Sequence, residues 1–374
     1  MRIGIDLLWV KPQKSGGIES YIRNLLDGFY KFADESYEFL LFVAKDNAET
    51  FEKYFDSNRF QKILCNTNSK EVGKRILWEN INLNKQSRKY RVDLMFSPVY
   101  SKPIFSQEIK YVTTIHDLQA LHYPEYFSKL KYYWLKFAWK RSAKTSDKVI
   151  AISNFVKEDI IEKLCVDREK VKTIYNPIVL SGESNFEEII EKYRISSNSY
   201  FYTVSSMHKH KNLMTLLNVM KEIKYSYPNL PQKLLISGIG GYMNKDIVDF
   251  IEKNDMKENI ILTGFVSNEE RNALYKNSAA FLFSSIFEGF GMPVIEAMIF
   301  GTRVITTNCA SLKEVTENLA IYVEKPFDIN EWIKKIISSL TESKRKYSYD
   351  KYDLEVITKQ YMKLFYDVVY NDKY

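Results

Sequence analysis

Two glutamates, Glu288 and Glu296, are separated by seven residues that include a glycine-rich loop. Gly289 and Gly291 let the backbone of this loop approach a ligand closely. Backbone N–H groups in such a loop, followed by a helix N-terminus, suit an anion such as a diphosphate. A carboxylate beside an anion site is useful only if it accepts hydrogen bonds from hydroxyl groups, so two carboxylates indicate two diols. These residue types therefore predict a site for a ligand that carries phosphate, ribose and sugar groups.

The elements around the loop can be predicted from the same segment. The apolar run Ala279–Ser284 predicts a strand, and Arg303–Thr306 predicts the next one. Pro293 suits the first position of a helix, where its missing N–H costs nothing, and Gly301 suits the position just past the helix end. A loop between such elements lies at the carboxyl end of a parallel sheet, where ligands bind. The alternative interpretation is an ordinary turn with two solvated glutamates.

A cluster of cations occupies a comparable position earlier in the chain. Ser205 to Asn212 lies between the predicted strand Tyr200–Ser205 and the predicted helix Leu213–Lys224, and it contains Lys209 and Lys211. Cations there would clamp a diphosphate as charge develops on a leaving group. The alternative is a solvated run of charge.

Three further candidates follow strands in the first half of the chain. His116 ends the strand Tyr111–Ile115, at a position that suits either a cleft or a structural role. Gly16 and Gly17, which come after Ser15, separate the first strand from a helix. Ser153 comes at the end of another strand, and it is either a helix N-cap or a ligand contact.

Strand and helix patterns alternate along the whole chain, which predicts an α/β fold of two doubly wound domains with parallel sheets, joined near residue 180. The length of 374 residues suits two domains. The strands are predicted at Arg2–Leu8, Glu38–Val43, Leu94–Phe96, Tyr111–Ile115, Lys148–Ile152, Tyr200–Ser205, Lys233–Ser237, Ile260–Thr263, Ala279–Ser284 and Arg303–Thr306.

The bulk composition limits the partners. The net charge of +7 is diluted by 47 acidic residues, so a nucleic-acid platform is not indicated. There is no apolar run of about 18 residues and no signal-peptide cleavage site, so we expect a soluble or peripheral protein. Three widely spaced cysteines form no metal-type pattern and suit buried thiols in a reducing cytoplasm.

The stretch Ser128–Lys148 combines many lysines with aromatic residues. At helical spacing Leu130, Trp134, Phe137 and Arg141 share one face. One interpretation is a helix that packs this face on the core and leaves a basic side in water. The other is a membrane-surface helix that serves a lipid-linked acceptor.

The segment from Glu288 to Glu296 resembles the signature of the retaining glycosyltransferases of family 4. Between the glutamates stand Gly289, Phe290, Gly291, Met292, Pro293 and Val294, and the continuation to Gly301 also fits. Lys211-Asn212-Leu213 resembles a second element of the family, and Thr263-Gly264-Phe265 resembles its base-binding turn. The motifs occur in the family's order along essentially the whole chain.

The resemblance implies a GT-B fold of two facing Rossmann-like domains. Residues 1–178 would bind the acceptor, 179–348 would bind the nucleotide sugar, and 349–374 would form a helix that crosses back to the first domain. Three residues would carry the chemistry, namely His116, Glu288 and Lys211. The implied donor-binding residues are Gly16, Gly17, Ser153, Ser205, Lys209, Lys211, Phe265, Glu288, Gly289, Phe290, Gly291, Met292, Pro293 and Glu296.

In this scheme Glu288 holds hydroxyls of the donor sugar and Glu296 holds the ribose diol. The backbone N–H groups of Phe290, Gly291 and Met292 face sugar and phosphate. The chain departs from the family at Ser205, where many members have an arginine. Lys209 or His210 would then compensate for the missing cation.

The implied function is transfer of a hexose from a nucleotide-diphosphate sugar to an acceptor hydroxyl, with retention of configuration and without a metal or other cofactor. The implied process is the assembly of a bacterial surface polysaccharide, such as O-antigen, capsule or exopolysaccharide. The protein would then be cytoplasmic, or peripheral at the inner face of the membrane. Its acceptor would be a glycan, either free or linked to a lipid, and no nucleic acid would bind. The alternatives are a nucleotide-sugar epimerase or phosphorylase of the same fold, and a non-catalytic binding subunit.

Overall fold

The computed structural model describes residues 1–12, 16–104, 109–180, 182, 184–239, 245–344 and 347–371. The chain divides into two compact units, one of which comprises Met1–Pro177 and the segment from Asp350 onward, and the other Ile178–Tyr349. Each unit contains one sheet with parallel strand pairs and helices around it. The predicted fold class, α/β with two Rossmann-like domains, is confirmed.

The sheet of the first unit has seven strands in the order β3-β2-β1-β4-β5-β6-β7. The strands are β1 Arg2–Asp6, β2 Glu38–Ala44, β3 Phe60–Cys65, β4 Leu94–Ser97, β5 Lys110–Ile115, β6 Lys148–Ala151 and β7 Val171–Thr173. The helices are α1 Gly16–Phe32, α2 Val72–Trp78, α3 Asn84–Lys89, α4 Gln119–His122, α5 Lys129–Thr145, α6 Asn154–Leu164 and, from the C-terminal segment, α14 Leu354–Tyr366.

The sheet of the second unit has six strands in the order β10-β9-β8-β11-β12-β13. The strands are β8 Tyr200–Val204, β9 Lys233–Ser237, β10 Ile260–Gly264, β11 Ala280–Phe283, β12 Val304–Thr307 and β13 Ile321–Val323. The helices are α7 Phe186–Tyr193, α8 Leu213–Ser226, α9 Lys245–Lys253, α10 Asn268–Asn277, α11 Met292–Ile299, α12 Leu312–Val315 and α13 Ile329–Thr341.

Each sheet reverses its strand order once, and these reversals decide which loops are neighbours. In the first unit the reversal lies between β1 and β4, and in the second it lies between β8 and β11. The connections on either side of a reversal leave in opposite directions, which opens a crevice at the carboxyl ends of the strands. In the second unit, the loops after β8 and β11 therefore meet.

The helix α14 completes the core of the first unit by packing against α1. The hydroxyls of Tyr21 and Tyr361 lie 2.6 Å apart, and Tyr361 and Phe365 are fully buried with the residues of the first sheet. A Cβ at Gly28 would lie 2.1 Å from the hydroxyl oxygen of Thr358, so only glycine allows this approach of the two helices.

The strands predicted from apolar runs are all present, whereas β3, β7 and β13 were not predicted. Strand β3 reads Phe-Gln-Lys-Ile-Leu-Cys, and its buried and exposed positions follow no strict alternation. The other two strands have only three residues each. Such short or irregular segments give no periodicity to detect, and neighbouring strands decide their conformation.

Helix α5 corrects one prediction. The face that contains Leu130, Trp134 and Phe137 does not pack on the core, because these side chains are 84%, 44% and 53% exposed. The buried residues of the helix, Leu135 and Trp139 among them, lie on the opposite side. The core-facing interpretation of the first face was therefore wrong. Spacing shows which residues share a face, but not which of two apolar faces the sheet covers.

Two further findings concern the cysteines and the membrane. Cys65 is buried, but Cys165 is exposed and Cys309 is half-buried, so the expectation of three buried thiols was wrong. Cys165 lies at the C-cap of α6, in a left-handed conformation. Within the described ranges, every helix is too short or too polar to span a membrane.

Candidate active site

Two loops of the second unit are joined at the carboxyl end of its sheet. The loop 205–212 follows β8 and the loop 284–291 follows the neighbouring strand β11. The backbone N–H of Ile286 donates to the carbonyl of His210 at 2.8 Å. The hydroxyl of Ser284 donates to the carbonyl of Lys211 at 2.8 Å, and that of Ser285 lies 3.2 Å from the carbonyl of His210. These hydrogen bonds fix the two loops against each other.

Lys211 and Glu288 form an ion pair across this junction. The Nζ atom of Lys211 lies 2.5 Å from Oε1 of Glu288 and 5.5 Å from the centre of the Phe283 ring. The side chains are only 21% and 13% exposed. Two of the residues predicted from distant motifs are therefore in contact, in a setting with little water to screen their charges.

The glycine-rich loop leads directly into α11. Gly291 has a φ of +94°, which favours glycine, and a Cβ at this position would also lie 2.8 Å from Cδ2 of Leu312. Met292 begins the helix and Pro293 follows in its first turn. The first N–H groups of a helix have no partner within it, which makes this end suitable for an anion.

A buried serine from another loop supports the glycine-rich segment. The hydroxyl of Ser311 lies 2.9 Å from the carbonyl oxygen of Glu288 and 3.2 Å from that of Phe290. Ser311 is fully buried at the start of α12. Its role was not predicted, because no local pattern around Ser311 points to a loop about twenty residues earlier.

The second glutamate of the motif is held by residues of α10. Oε2 of Glu296 accepts a hydrogen bond of 3.0 Å from the hydroxyl of Tyr275 and lies 3.4 Å from Nε of Arg271. Burial, followed by the charge of Glu296, raises the pKa of Tyr275 well above its ordinary value, so the hydroxyl remains a donor. Sequence reasoning missed both partners, although their spacing of four residues places them on one helix face.

Ser205 directly follows β8 and lies beside a glycine that the sequence did not single out. The backbone N–H of Ser205 donates to the carbonyl of Ser237 at 2.9 Å. Gly238 has a φ of +89°, and a Cβ there would lie 2.6 Å from the carbonyl oxygen of Ser205. The close approach of the ends of β8 and β9 therefore requires glycine at this position.

The side chain of Phe265 projects into solvent at the end of β10. Gly264 turns the chain with a φ of +74°, and the ring of Phe265 is 75% exposed. An exposed aromatic ring at the carboxyl end of a sheet is available to a ligand.

Lys209 and His210 differ in the charge they can supply. Burial, and then the nearby charge of Lys211, lowers the pKa of His210 to about 4, so its ring is neutral near neutral pH. The ring of His210 stacks on that of His208, with centroids 5.6 Å apart. Lys209 is exposed on the helical turn that precedes Asn212. Of the two candidates to replace the missing arginine, His210 is thus excluded as a cation near neutral pH, and Lys209 remains.

In the first unit, His116 follows β5 and is half-buried. Its Nε2 lies 2.8 Å from the carbonyl oxygen of Pro98, and the ring of Tyr21 packs edge-on at 4.8 Å. A carbonyl only accepts hydrogen bonds, so Nε2 carries the proton. Burial lowers the pKa of His116 to about 4, so the ring is neutral and Nδ1 is an acceptor.

The remaining candidates of the first unit lie near helix N-termini. Gly16, with a φ of +58°, and Gly17 are exposed at the start of α1, while Ser15 lies outside the described residues. Ser153 is buried and caps α6, because its hydroxyl accepts a hydrogen bond of 3.2 Å from the N–H of Val156. The capping interpretation of Ser153 is thus established.

The part of the chain that the structure describes contains no group of three or more His, Cys, Asp or Glu side chains arranged to hold a metal ion.

Comparison with known families assigns both halves of the chain. Residues 15–181 match the model of Glycosyltransferase Family 4, and residues 185–354 match that of Glycosyl transferases group 1. The chain belongs to the GT-B glycosyltransferases. The predicted family is thus confirmed, and the second match contains both glutamates and Lys211.

Two of the curated relatives of this glycosyltransferase-family chain come from Salmonella typhimurium and Escherichia coli. The chain is 32% identical over 222 residues to the O-antigen chain mannosyltransferase RfbU of Salmonella typhimurium strain LT2. This match covers 59% of the chain and 58% of the relative. The chain is 25% identical over 239 residues to the O-antigen chain mannosyltransferase B of Escherichia coli, covering 62% and 61%. The matched part thus spans about three fifths of the length of these relatives.

A solved structure shares the fold at low identity. The Anabaena protein HepE, crystallised with UDP and glucose, superposes with a TM-score of 0.73 at 16% identity, covering 98% of this chain and 99% of that one. At this identity the likeness concerns the fold alone.

Proposed function

We propose that the chain is a retaining glycosyltransferase that moves a hexose from a nucleotide-diphosphate sugar to an acceptor hydroxyl. The observation that carries this proposal is the ion pair of Lys211 and Glu288 beside the glycine-rich loop. A cation, a carboxylate and a helix N-terminus within one small region suit a ligand that is anionic at one end and rich in hydroxyls at the other.

In the proposed complex the ion pair opens and each member takes a new partner. Lys211 turns to the diphosphate and stabilises its charge as it leaves, which is the charge that develops in the transition state. Glu288 accepts hydrogen bonds from sugar hydroxyls and fixes the orientation of the ring. Lys209 supplies further positive charge, in place of the arginine that many family members have at the position of Ser205.

The nucleoside would bind on the other side of the loop. Glu296 accepts hydrogen bonds from the ribose diol, and Tyr275 and Arg271 orient its carboxylate. Phe265 contacts the base. Glu288 and Glu296 would thus bind two separate diols, one on each side of the diphosphate.

The chemical step we infer is a front-face displacement. A bond forms between the acceptor oxygen and the anomeric carbon, while the bond from that carbon to the diphosphate oxygen breaks with its electron pair. The departing phosphate takes the acceptor proton, so no separate base is required. We propose that His116 accepts a hydrogen bond from a donor hydroxyl through Nδ1, and that Lys211 makes a divalent metal unnecessary.

The names of the two relatives suggest the sugar and the setting. Both are O-antigen chain mannosyltransferases, so mannose is the first donor sugar to test, and surface polysaccharide assembly is the proposed process. A growing glycan, carried on a lipid at the cytoplasmic face of the membrane, is the proposed acceptor.

The test begins with the donor. Uridine, guanosine and thymidine diphosphate sugars are titrated into the protein by calorimetry, and nucleotide release is then followed with a mannose-terminated acceptor, with and without a chelator. We expect one base to bind, transfer that resists the chelator, and a product whose anomeric configuration matches the donor by NMR. Binding without transfer to any acceptor would favour a non-catalytic subunit, and an inverted product would refute retention.

A further inference from the structure

Helix α5 has two apolar faces, of which the sheet covers only one. Leu135 and Trp139 are buried against the unit. On the opposite side Leu130, Trp134 and Phe137 recur at intervals of three and four residues, and all are exposed. A helix on the surface of a globular protein ordinarily has a single apolar stripe. The second stripe therefore lacks a partner within the described chain.

Positive charge surrounds this exposed stripe. The sequence of α5 contains five lysines and one arginine, and it contains no acidic residue. The lysines are all exposed, and they are Lys129, Lys131, Lys136, Lys140 and Lys144. Long lysine side chains can lie along an apolar surface while their ammonium groups reach a polar layer above it.

The neighbouring segment 102–104 extends the surface beyond the helix. The guanidinium of Arg141 donates to the carbonyls of Lys102, Pro103 and Ile104 at 2.9, 2.8 and 2.7 Å. These hydrogen bonds fix the segment beside α5, and the side chain of Ile104 is exposed there. The arginine therefore has a structural role, while the five lysines carry the free positive charge of the helix surface.

We propose that the exposed face of α5, together with Ile104, docks the protein on an anionic membrane surface. Apolar and aromatic side chains that enter the headgroup boundary, flanked by cations that contact anionic headgroups, are what such a surface requires. A second copy of the chain is a poor occupant, because a contact between two such faces would bring two clusters of five lysines together. A nucleic acid would neutralise the lysines but would leave the apolar stripe unsatisfied.

This inference goes beyond the proposed transfer reaction and does not depend on the donor. It concerns where the protein works, since a lipid-linked acceptor is available only at a membrane surface. Lipid binding can be measured without any sugar. Failure of the membrane proposal would therefore not refute the proposed transfer reaction, and failure of the transfer reaction would not refute membrane binding.

The test is co-sedimentation of the full chain with large vesicles. We expect little binding to phosphatidylcholine alone and strong binding when about 30% phosphatidylglycerol is included, with a steep loss of binding at high salt. Replacing Leu130, Trp134 and Phe137 by serine should weaken partitioning at least about tenfold. Replacing Lys136, Lys140 and Lys144 by glutamine should also weaken it at least about tenfold, on the basis of about 1 kcal/mol for each lysine.

Matched controls keep the experiment decisive. Phe327 is an exposed aromatic residue of the second unit, and Phe327→Ser should not change vesicle binding. Replacing Lys253, Lys257 and Lys334, which are also exposed, by glutamine removes the same net charge elsewhere and should have a much smaller effect than the α5 triple variant. Thermal unfolding, together with nucleoside diphosphate binding where it occurs, shows that each variant is folded.

Four results would overturn the proposal. The first is an absence of binding to anionic vesicles. The second is equal binding by the wild-type chain and the triple serine variant. The third is light scattering that shows a wild-type dimer and a monomeric serine variant, which would assign the exposed stripe to a contact between copies. Capture of an acidic protein by α5 without vesicle binding would equally refute it.

Discussion

The ion pair between Lys211 and Glu288 allows a prediction about two variants, one at each residue, that concerns both transfer activity and the affinity for a nucleoside diphosphate. If donor binding opens the pair, Glu288→Gln releases Lys211 to meet a diphosphate and at the same time removes the contact with sugar hydroxyls. Lys211→Gln removes the cation itself. Both variants should lose transfer, but their affinities for the nucleoside diphosphate alone should change in opposite directions.

The magnitude follows from burial. An exposed ion pair contributes about 0.2–1 kcal/mol, and breaking a fully buried one costs about 3–5 kcal/mol. With side chains 21% and 13% exposed, this pair lies between the two limits, at about 1–2 kcal/mol. Glu288→Gln should therefore tighten nucleoside diphosphate binding about 5- to 30-fold, and Lys211→Gln should weaken it by at least as much. Loss of one positioned group in the transition state should lower turnover about 100- to 1,000-fold in each variant.

The assay is calorimetry with the nucleoside diphosphate that the donor screen identifies, followed by nucleotide release under saturating donor. Lys257 and Glu252 provide a matched control, since they form an exposed pair of the same unit at 3.5 Å. Glu252→Gln should change neither affinity nor turnover. Changes in the same direction for both site variants, or wild-type turnover in either of them, would refute the exchange of partners.

Three further predictions concern Tyr275, His116 and Gly238. Tyr275→Phe removes the hydrogen bond to Glu296 and should weaken nucleoside diphosphate binding about 3- to 10-fold by calorimetry, with unchanged turnover at saturating donor. Burial lowers the pKa of His116 from 6.5 to about 4, so the unfolded chain binds a proton that the native chain does not, and stability is lost as the pH falls from about 6.5 to 4. His116→Asn should remove up to about 3 kcal/mol of that loss in urea unfolding at pH 4 relative to pH 7. Gly238→Ala, which combines a positive φ with a Cβ clash, should lower the free energy of unfolding by about 2 kcal/mol or more, whereas Gly73→Ala in α2, where a Cβ meets nothing within 4 Å, should be neutral or slightly stabilising.

Each of these predictions has a result that would contradict it. Wild-type affinity in the tyrosine variant would show that Glu296 does not need its partner. Parallel pH profiles of the histidine variant and the wild-type chain would show that the imidazole is not neutralised by burial. Equal stability of the two alanine variants would show that the end of β9 can relax around a side chain.

Much of the fold could be predicted because its signals are local. Apolar runs marked every strand except β3, β7 and β13, and the alternation with helical patterns was sufficient for a parallel α/β fold. The helix start at Met292 and its end near Gly301 were likewise readable from proline and glycine alone. Strands β3, β7 and β13 escaped prediction because their pairing partners, rather than their own residues, determine them.

In the candidate site, too, local sequence accounts for some features and tertiary structure for the others. The sequence by itself determined which residue types follow each strand, and so it named Lys211, Glu288 and Glu296 from local motifs. Only the tertiary structure decided that β8 lies beside β11, which brings Lys211 within 2.5 Å of Glu288, and that α10 supplies Tyr275 to Glu296.

Helix α5 gives the clearest example of what sequence alone leaves undecided. Its spacing placed Leu130, Trp134 and Phe137 on one face, but periodicity does not show whether the sheet covers that face or another one. The sheet covers the face with Leu135 and Trp139, so Leu130 and Phe137 remain exposed. Local chemistry fixes which groups a segment offers, whereas long-range packing determines which of them are buried, which are paired and which remain available to a partner.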